Sequence, residues 1–542
     1  MIDTTHNHAS GFDTDVAIVG YGPVGQALAS LLARAGHRVE VFERFTDMYR
    51  LPRAVHLDHE IMRLLQSLGL AGALADEMIP VRDYQWFGAD GEPVMRFDRQ
   101  GVACSGWEAS YMFFQPELEA ALDGAGCAEP NVEVHRGWIA DGLLDSEAGA
   151  ELTVRRADDA FGGLALSADR RVVRARWIVG ADGANSFVRE ASGITRRDLG
   201  FQERWLVVDA EPRNMDALAY LPIACQWCDP ARPTTQMQSG PRHRRWEFML
   251  LPHEQPSDFE DLDRVWSLLE PWYTPDDGPL TRSTVYEFRS MLANQMRKGH
   301  VLLVGDAAHL TPPFLGQGLC SGLRDAANLA WKLDLVLRGI TSEKLLDTID
   351  PERQPHNEAV IRLAIELGKV LCQLDPGAAA ERDAMLRAAG PPPPLEFPPL
   401  ADGLVHGRGE GGVDPLAGAL SVQGVVARAG REGRFDDVVG GGLQLIVATG
   451  DPLDGLDAGT RALLDALDAT VASLSPDAPC GVEDRDGRLT AWLSEHGAHA
   501  VLVRPDFYVF GSADSAEAVP RLLEDFRTQL LLTTPTTSGA LT

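Results

Sequence analysis

The sequence predicts an α/β protein of several domains. Three observations carry that prediction: a strand–turn–helix–strand unit at the N-terminus, an alternating region suited to an antiparallel sheet in the middle, and a proline-rich break followed by a second α/β pattern. At 542 residues the chain is too long for one core, and two or three packed domains are expected. Its 45% apolar and 24% charged residues are those of an ordinary globular protein. No stretch approaches the ~20 apolar residues needed to span a bilayer. Residues 1–14 lack the apolar core of a signal peptide, so a cytoplasmic protein is expected.

The elements follow in order. Asp15 to Val19 is a short apolar strand that runs into Gly20-Tyr-Gly-Pro-Val-Gly25, and Ala27, Leu28, Leu31, Leu32 and Ala35 then recur at helical spacing. Gly36 closes that helix, and Val39 to Phe42 forms a second strand ending at Glu43. Asp58 to Gly69 carries Ile61, Leu64, Leu65 and Leu68 on one helical face, and Pro116 to Leu122 opens another helix behind Gln115. Alternating segments between Val132 and Val179, such as Glu151 to Val154 and Val172 to Ile178, read as strands, as do Thr234 to Gln238 and Trp246 to Leu250. The two groups are expected to pair as an antiparallel sheet.

Val301 to Val304 restores the buried-strand signature, and Gly318 to Gly339 reads as a long helix returning to the first domain. The prolines from Pro391 to Pro399 and the glycines up to Gly412 mark a linker, because proline cannot join a sheet or continue a helix. Beyond it, Leu443 to Val447 and Ala498 to Val503 read as strands, and Gly459 to Leu474 and Pro520 to Leu531 as helices.

Charge and cysteine content exclude some classes. Lys and Arg total 49 against 79 Asp and Glu, and a net charge of −30 repels nucleic acid and anionic membranes. The seven cysteines (Cys104, Cys127, Cys225, Cys228, Cys320, Cys372 and Cys480) are scattered and odd in number, as in a reducing compartment. Cys225 and Cys228 form a lone CxxC with no second pair, so no metal is expected.

The GxGxxG turn carries the first functional expectation. It follows a strand and opens a helix, the context of a Rossmann-type dinucleotide site: Gly20 permits the turn, Gly22 lets backbone approach a pyrophosphate, and Gly25 allows close packing of helix on strand. The free N–H groups of the helix start that follow Pro23 suit the diphosphate. Glu43, eighteen residues past Gly25, suits two ribose hydroxyls.

Three further segments resemble a family. Trp177 to Arg189, with Asp182, Gly183, Ser186 and Arg189, resembles the DG motif of the class A flavin-dependent aromatic hydroxylases. Gly305-Asp306 through Gly318 resembles their GD motif, and Pro52-Arg53-Ala54 with Gln115 matches positions that face the flavin. The resemblance implies FAD, held by Gly20, Gly22, Pro23, Gly25, Glu43, Arg44, Arg53, Gln115, Asp182, Gly305, Asp306, Pro313, Gly316, Gly318 and Leu319. His309 reads as a structural histidine. No second GxGxxG occurs, so NADH (or NADPH) is implied to bind transiently as reductant. An aromatic hydroxylase of this kind adds one atom of O2 to a phenol, a reaction that slow triplet oxygen requires a cofactor for.

Gln226 to Thr235 and Arg244 to Leu250 most resemble the branch of 3-(3-hydroxyphenyl)propanoate hydroxylase, which implies that acid as substrate and its 2,3-dihydroxy derivative as product. The alternative is a hydroxylase of a larger aromatic polyketide or drug-like molecule. Ala491 to Leu493, Ala500 to Asp506 and Tyr508 to Gly511 resemble that branch's thioredoxin-like tail, without its redox cysteines, so packing or a homodimer contact is implied there. The implied division is a discontinuous FAD-binding domain (1–195 and 285–390), a substrate-binding sheet (196–284), a linker (391–412) and the C-terminal domain (413–542). By strand alternation Thr235, Met237 and Ser239 share one face and Arg245 and Glu247 another, which makes them candidates to line the substrate pocket. Arg232, Arg242, Arg244 and Arg245 read as a solvated basic loop, with a substrate carboxylate as the other reading. No acid–base residue is identified from sequence.

Overall fold

The computed structural model describes residues 11–48, 51–160, 163–392, 397–407 and 414–530. The first apolar run becomes the strand Thr14–Val19, paired in parallel with Val39–Glu43 on one side and with the end of Gly163–Gly180 on the other. Val132–Arg136 extends the sheet beyond Val39–Glu43, and Val301–Leu303 extends it beyond residues 178–180, again in parallel. Central strands covered on both faces are apolar throughout, and Val16, Ala17, Ile18, Ile178 and Val179 are fully buried. The helices Pro23–Arg34 and Gly318–Leu337 pack against each other beside this sheet.

One expectation is corrected here. The strands between 132 and 179 do not pair with those of 201–251. They are drawn into the parallel sheet, where Trp177, Ile178 and Val179 find burial on both faces, while Trp138–Ser146 and Gly149–Ala160 grow from it as an antiparallel extension.

The second sheet has eight strands, in the order His309–Leu310, Leu280–Ala293, Arg196–Ala210, His243–Met249, Thr234–Ser239, Ala224–Trp227, Asp83–Phe87 and Pro93–Asp98. It is antiparallel except between Ala224–Trp227 and Asp83–Phe87. Alternation splits its faces. Leu206, Val208, Trp246 and Phe248 pack with Val265, Leu269 and Tyr273 in a separate core, while Val207, Asp209, Arg245 and Glu247 turn the other way.

The C-terminal unit has a four-stranded sheet in the order Thr470–Ser473, Gln444–Val447, Ala500–Val503 and Val509–Ala513. The first pair is parallel and the other two are antiparallel. The helix expected over 459–474 ends at Ala466: Asp468 adopts a left-handed backbone (φ 50°), and Thr470-Val471 opens a strand instead. The helix expected over 520–531 spans Val519–Gln529, and Leu531 lies outside the described residues.

Of the expected linker, residues 393–396 and 408–412 lie outside the described residues. The intervening 397–407 carry no helix or strand, yet they are not a loose tether. Leu400, Leu404 and Val405 are buried, and the Leu404 backbone N–H donates to Glu352 while its carbonyl accepts from Arg504.

Candidate active site

The parallel sheet and the inner face of the second sheet enclose one cavity of about 660 Å³. At one end of it the strand Thr14–Val19 delivers Gly20, Gly22 and Pro23 to the wall. Gly20 has φ of +100°, and a Cβ there would stand 2.4 Å from the Ala181 carbonyl oxygen. A Cβ on Gly25 would collide with the Gly20 carbonyl, so Gly25 serves packing and does not line the cavity. Gly22 has open space where a Cβ would be. It begins the helix Pro23–Arg34 with no side-chain cap and no acid in the first turn, leaving N–H groups unpaired as at any helix start.

Glu43 ends its strand at the cavity, accepting from the backbone N–H of Tyr21 (2.8 Å) and of Phe45 (3.0 Å). Arg44 follows it in the wall, together with Arg136, whose guanidinium stands 5.1 Å over the Tyr21 ring.

The segment 52–54 is clamped from two sides. Gln115 Oε1 accepts from the backbone N–H of Arg53 (2.8 Å) and Ala54 (2.6 Å), and Arg245 and Arg282 donate to the Pro52 carbonyl. Asp182 accepts from Ser186 Oγ and the Val188 N–H, capping the short helix Phe187–Ala191 at the cavity edge. Burial raises its pKa. Asp306 follows the strand Val301–Leu303 and opens into the cavity; burial raises its pKa, opposed by His309 and Arg53. His309 Nε2 instead meets Asp325 Oδ2 at 2.6 Å in the core, the structural role expected of it. Asp325 also accepts from the Gly305 N–H, so Gly305 stands behind the wall while Asp306 forms it.

Pro313, Gly316, Gly318 and Leu319 line the cavity where the long helix Gly318–Leu337 begins, uncapped and with no acid in its first turn. Gly316 has φ of +65°, and a Cβ there would stand 2.8 Å from His56. His56 is a cavity residue that sequence reasoning missed. Its Nε2 meets Ser110 Oγ at 2.7 Å and its Nδ1 faces the Gly316 carbonyl at 3.2 Å. Burial, with help from Arg99, pushes its pKa down to about 4, so the imidazole is neutral.

Along the second sheet the register builds two cross-strand rows. Gln226, Thr235, Glu247 and Val207 are successive partners, and Ala224, Met237, Arg245, Asp209 and Arg282 form the next row. Thr235, Met237, Arg245 and Glu247 line the cavity as expected. Ser239 does not. It pairs one row further on with His243, and its hydroxyl donates to the Phe113 carbonyl, so that segment covers it.

The solvated basic loop is corrected at Arg244 and Arg245, while Arg242 is exposed as that reading has it. Arg244 is buried and donates to the Leu218 and Pro222 carbonyls, and Arg245 is buried in a bidentate pair with Asp209 (2.7 and 3.1 Å). Arg232 pairs with Glu254, and Arg242 with Glu77 and Glu117. Besides His56, the cavity holds Tyr84, Arg99, Gln226, Arg282 and Tyr286, none of them foreseen. Gln226 had a legible signal, since alternation sets it opposite Thr235; Arg99, in an irregular segment after Pro93–Asp98, had none.

The FAD binding domain family matches residues 13–364, and the HcaD C-terminal domain family matches residues 418–529. A probable NADH-specific resorcinol 4-hydroxylase of Rhodococcus jostii (strain RHA1) is 40% identical over 514 residues, 93% of each chain. A 3-(3-hydroxy-phenyl)propionate/3-hydroxycinnamic acid hydroxylase of Burkholderia cenocepacia (strain HI2424) is 34% identical over 93% of this chain and 94% of its own. Among solved structures, the flavin-dependent monooxygenase PieE, in complex with FAD and substrate, superposes with a TM-score of 0.79 at 22% identity, covering 95% of this chain and 99% of its own. Aklavinone-11 hydroxylase, with FAD and aklavinone, gives 0.76 at 23% identity over the same shares. At that identity the two structures speak for the fold alone. No helix among the described residues is long and apolar enough to cross a membrane.

Proposed function

Because this chain belongs to the FAD binding domain family and is a flavin-dependent aromatic-ring hydroxylase, we propose that it uses NADH and O2 to hydroxylate a small phenol bearing an acidic side chain. The substrate we assign is 3-(3-hydroxyphenyl)propanoate, converted to its 2,3-dihydroxy product. Arg99 carries the acidic side chain in this reading. It lines the cavity over the Tyr84 ring (5.1 Å) and donates to Ser110 Oγ (3.0 Å), and no carboxylate among the described residues comes within ion-pair distance of it. Burial lowers its pKa, as for a guanidinium that lacks an anion. A bound carboxylate would supply one.

The residues fit FAD. Gly22 leaves room for a pyrophosphate at an uncapped helix start, Glu43 stands at the strand end suited to a ribose, and Asp306 offers a carboxylate to the cavity. When bound, FAD supplies the oxygen-activating redox chemistry that side chains lack. The protein's part is positioning: Gln115, Arg245 and Arg282 fix the segment 52–54, and the uncapped start of Gly318–Leu337 presents positive potential where negative charge accumulates. NADH is preferred to NADPH on the strength of the relative named as NADH-specific.

That same relative favours resorcinol as a second substrate reading. The division proposed for the chain is an FAD-binding part (1–195 and 285–390), a substrate sheet (196–284), a connecting segment (391–412) and a thioredoxin-like unit (413–542). The strand order and directions of the C-terminal sheet support the last assignment. A cytoplasmic setting is part of the reading, supported by seven free thiols.

The test is NADH oxidation by the FAD-loaded protein with each phenol, with products weighed by mass spectrometry. Strong stimulation by 3-(3-hydroxyphenyl)propanoate and a product heavier by one oxygen are expected, with Arg99→Met raising KM for the acid about 100-fold while leaving that for resorcinol within threefold. Stimulation by resorcinol alone would move the assignment to the second reading.

A further inference from the structure

We propose that Glu247 is the base that takes the proton from the substrate's phenolic hydroxyl. The proposal rests on reading the protein as a phenol hydroxylase. Glu247 occupies the middle of the row Gln226, Thr235, Glu247, Val207, on the sheet face that lines the cavity, with its side chain only 8% exposed.

Among the described residues no hydrogen-bond donor reaches its carboxylate. The nearest cation, Arg245 Nη1, stands 3.6 Å away, and Arg245 is committed to Asp209 through Nε and Nη2 and to the Arg53 carbonyl through Nη1. The polar neighbours in the row satisfy one another: the Thr235 hydroxyl donates to Gln226 Oε1, and Gln226 Nε2 donates to the Tyr84 hydroxyl (2.6 Å). Glu247 is left as the acceptor in want of a donor. Its carboxylate oxygens open to the cavity, where a phenol O–H can donate to them.

The charged groups facing Glu247 are Arg245 on its own strand, Asp209 from Arg196–Ala210 and Arg282 from Leu280–Ala293. Asp209 offsets the two cations in part, burial prevails, and the carboxyl is pushed above the ordinary range of a glutamate, toward the range of a useful base. In the step, the substrate O–H bond breaks, the proton bonds to a Glu247 carboxylate oxygen, and the electron pair stays on the phenolate oxygen. That enriches the ring at the carbons ortho and para to it.

The experiment compares FAD-loaded wild type with Glu247→Gln and Glu247→Leu. Glu247→Gln is expected to lower kcat for hydroxylation about 100-fold or more, with a much smaller change in KM. Its residual rate should climb with pH as the phenol ionises unaided, over a range where wild type is flat. Binding gives a readout free of turnover. Followed by flavin fluorescence, wild type should bind 3-(3-hydroxyphenyl)propanoate about tenfold or more tightly than its methyl ether, and Glu247→Leu should erase that difference. Turnover of Glu247→Gln within threefold of wild type, a loss equal at every pH, or a wild type that binds phenol and ether alike would each overturn the proposal. A wild type that hydroxylates neither phenol, yet discriminates the ether through Glu247, would sink the substrate reading and leave Glu247 standing as the acceptor.

Discussion

Two glycines three positions or fewer from the first strand do different work, and a methyl group tells them apart. At Gly20 a positive φ and the Ala181 carbonyl both oppose a side chain, whereas Gly22 has φ of −76° and nothing within 4 Å of a new Cβ. Gly20→Ala is therefore expected to destabilise the flavin-free protein by about 1–3 kcal/mol. Gly22→Ala should leave its melting temperature nearly unchanged and weaken FAD binding, because its methyl stands where a pyrophosphate would approach. Thermal melts of the flavin-free protein with FAD titrations would separate the two. Glu43→Ala and Asp306→Ala should each lower the FAD content of purified protein, measured by absorbance; unchanged occupancy in both would refute their placement at the cofactor. These residues were legible because their spacing along the chain is itself the signal. His56 and Arg99 were not, because each reaches the cavity only through contacts made after folding: His56 through Gly316, 260 residues away, and Arg99 through Ser110 and the Tyr84 ring.

Among elements, period-two alternation placed Thr235, Met237, Arg245 and Glu247 on the cavity face, but it could not say where a row ends. Ser239 obeys the alternation and still falls under the segment carrying Phe113. Nor could alternation tell that the strands before residue 180 belong to the parallel sheet, since a short apolar run reads alike in either setting. The long helices raise a question of charge instead. Gly318–Leu337 and Ile349–Leu371 bury Lys332 and Glu352, and Arg504 of the C-terminal unit completes the cluster, with Glu352 accepting from Lys332 (2.6 Å) and Arg504 (2.7 Å). Burial alone would raise the Glu352 carboxyl, but Arg504 and Lys332 outweigh it and hold it down to about 2. Its folded value lies below the ordinary 4.5, so its stabilisation is complete above pH 4.5 and is lost as pH falls from there toward 2. Glu352→Gln leaves the buried Lys332 without an anion, while Arg504 keeps Asp506 (2.6 Å), and should cost about 3–5 kcal/mol at neutral pH. The gap in melting temperature between the variant and wild type should then close as pH falls below 4.5; a constant gap would rule out the charge on Glu352 as its source.

For the molecule as a whole, the question is whether the C-terminal unit is an appendage. Composition suggested one, since prolines and glycines separate it from the rest. The packing argues otherwise: Leu329 and Leu333 of Gly318–Leu337 belong to the same continuous core as Leu404, Leu445, Leu502, Phe510 and Phe526. Polar contacts cross the same boundary. Arg63, almost fully buried, pairs with Asp436 through Nε (2.6 Å) and Nη2 (2.9 Å), and Arg504 joins Glu352. Ending the chain at residue 390 would expose the apolar face of Gly318–Leu337, leave Arg63 without Asp436 and take Arg504 from Glu352, which would keep Lys332 and Asn328. Loss of one partner of such a pair costs several kcal/mol, and a domain's net stability is only about 5–15 kcal/mol. A truncated 1–390 protein is therefore expected to aggregate or to elute without FAD on gel filtration, even though every residue assigned to the flavin lies within it. A yellow, monodisperse truncated protein would mean that the C-terminal unit stabilises nothing the flavin site needs, and its function would then have to be sought on its own surface.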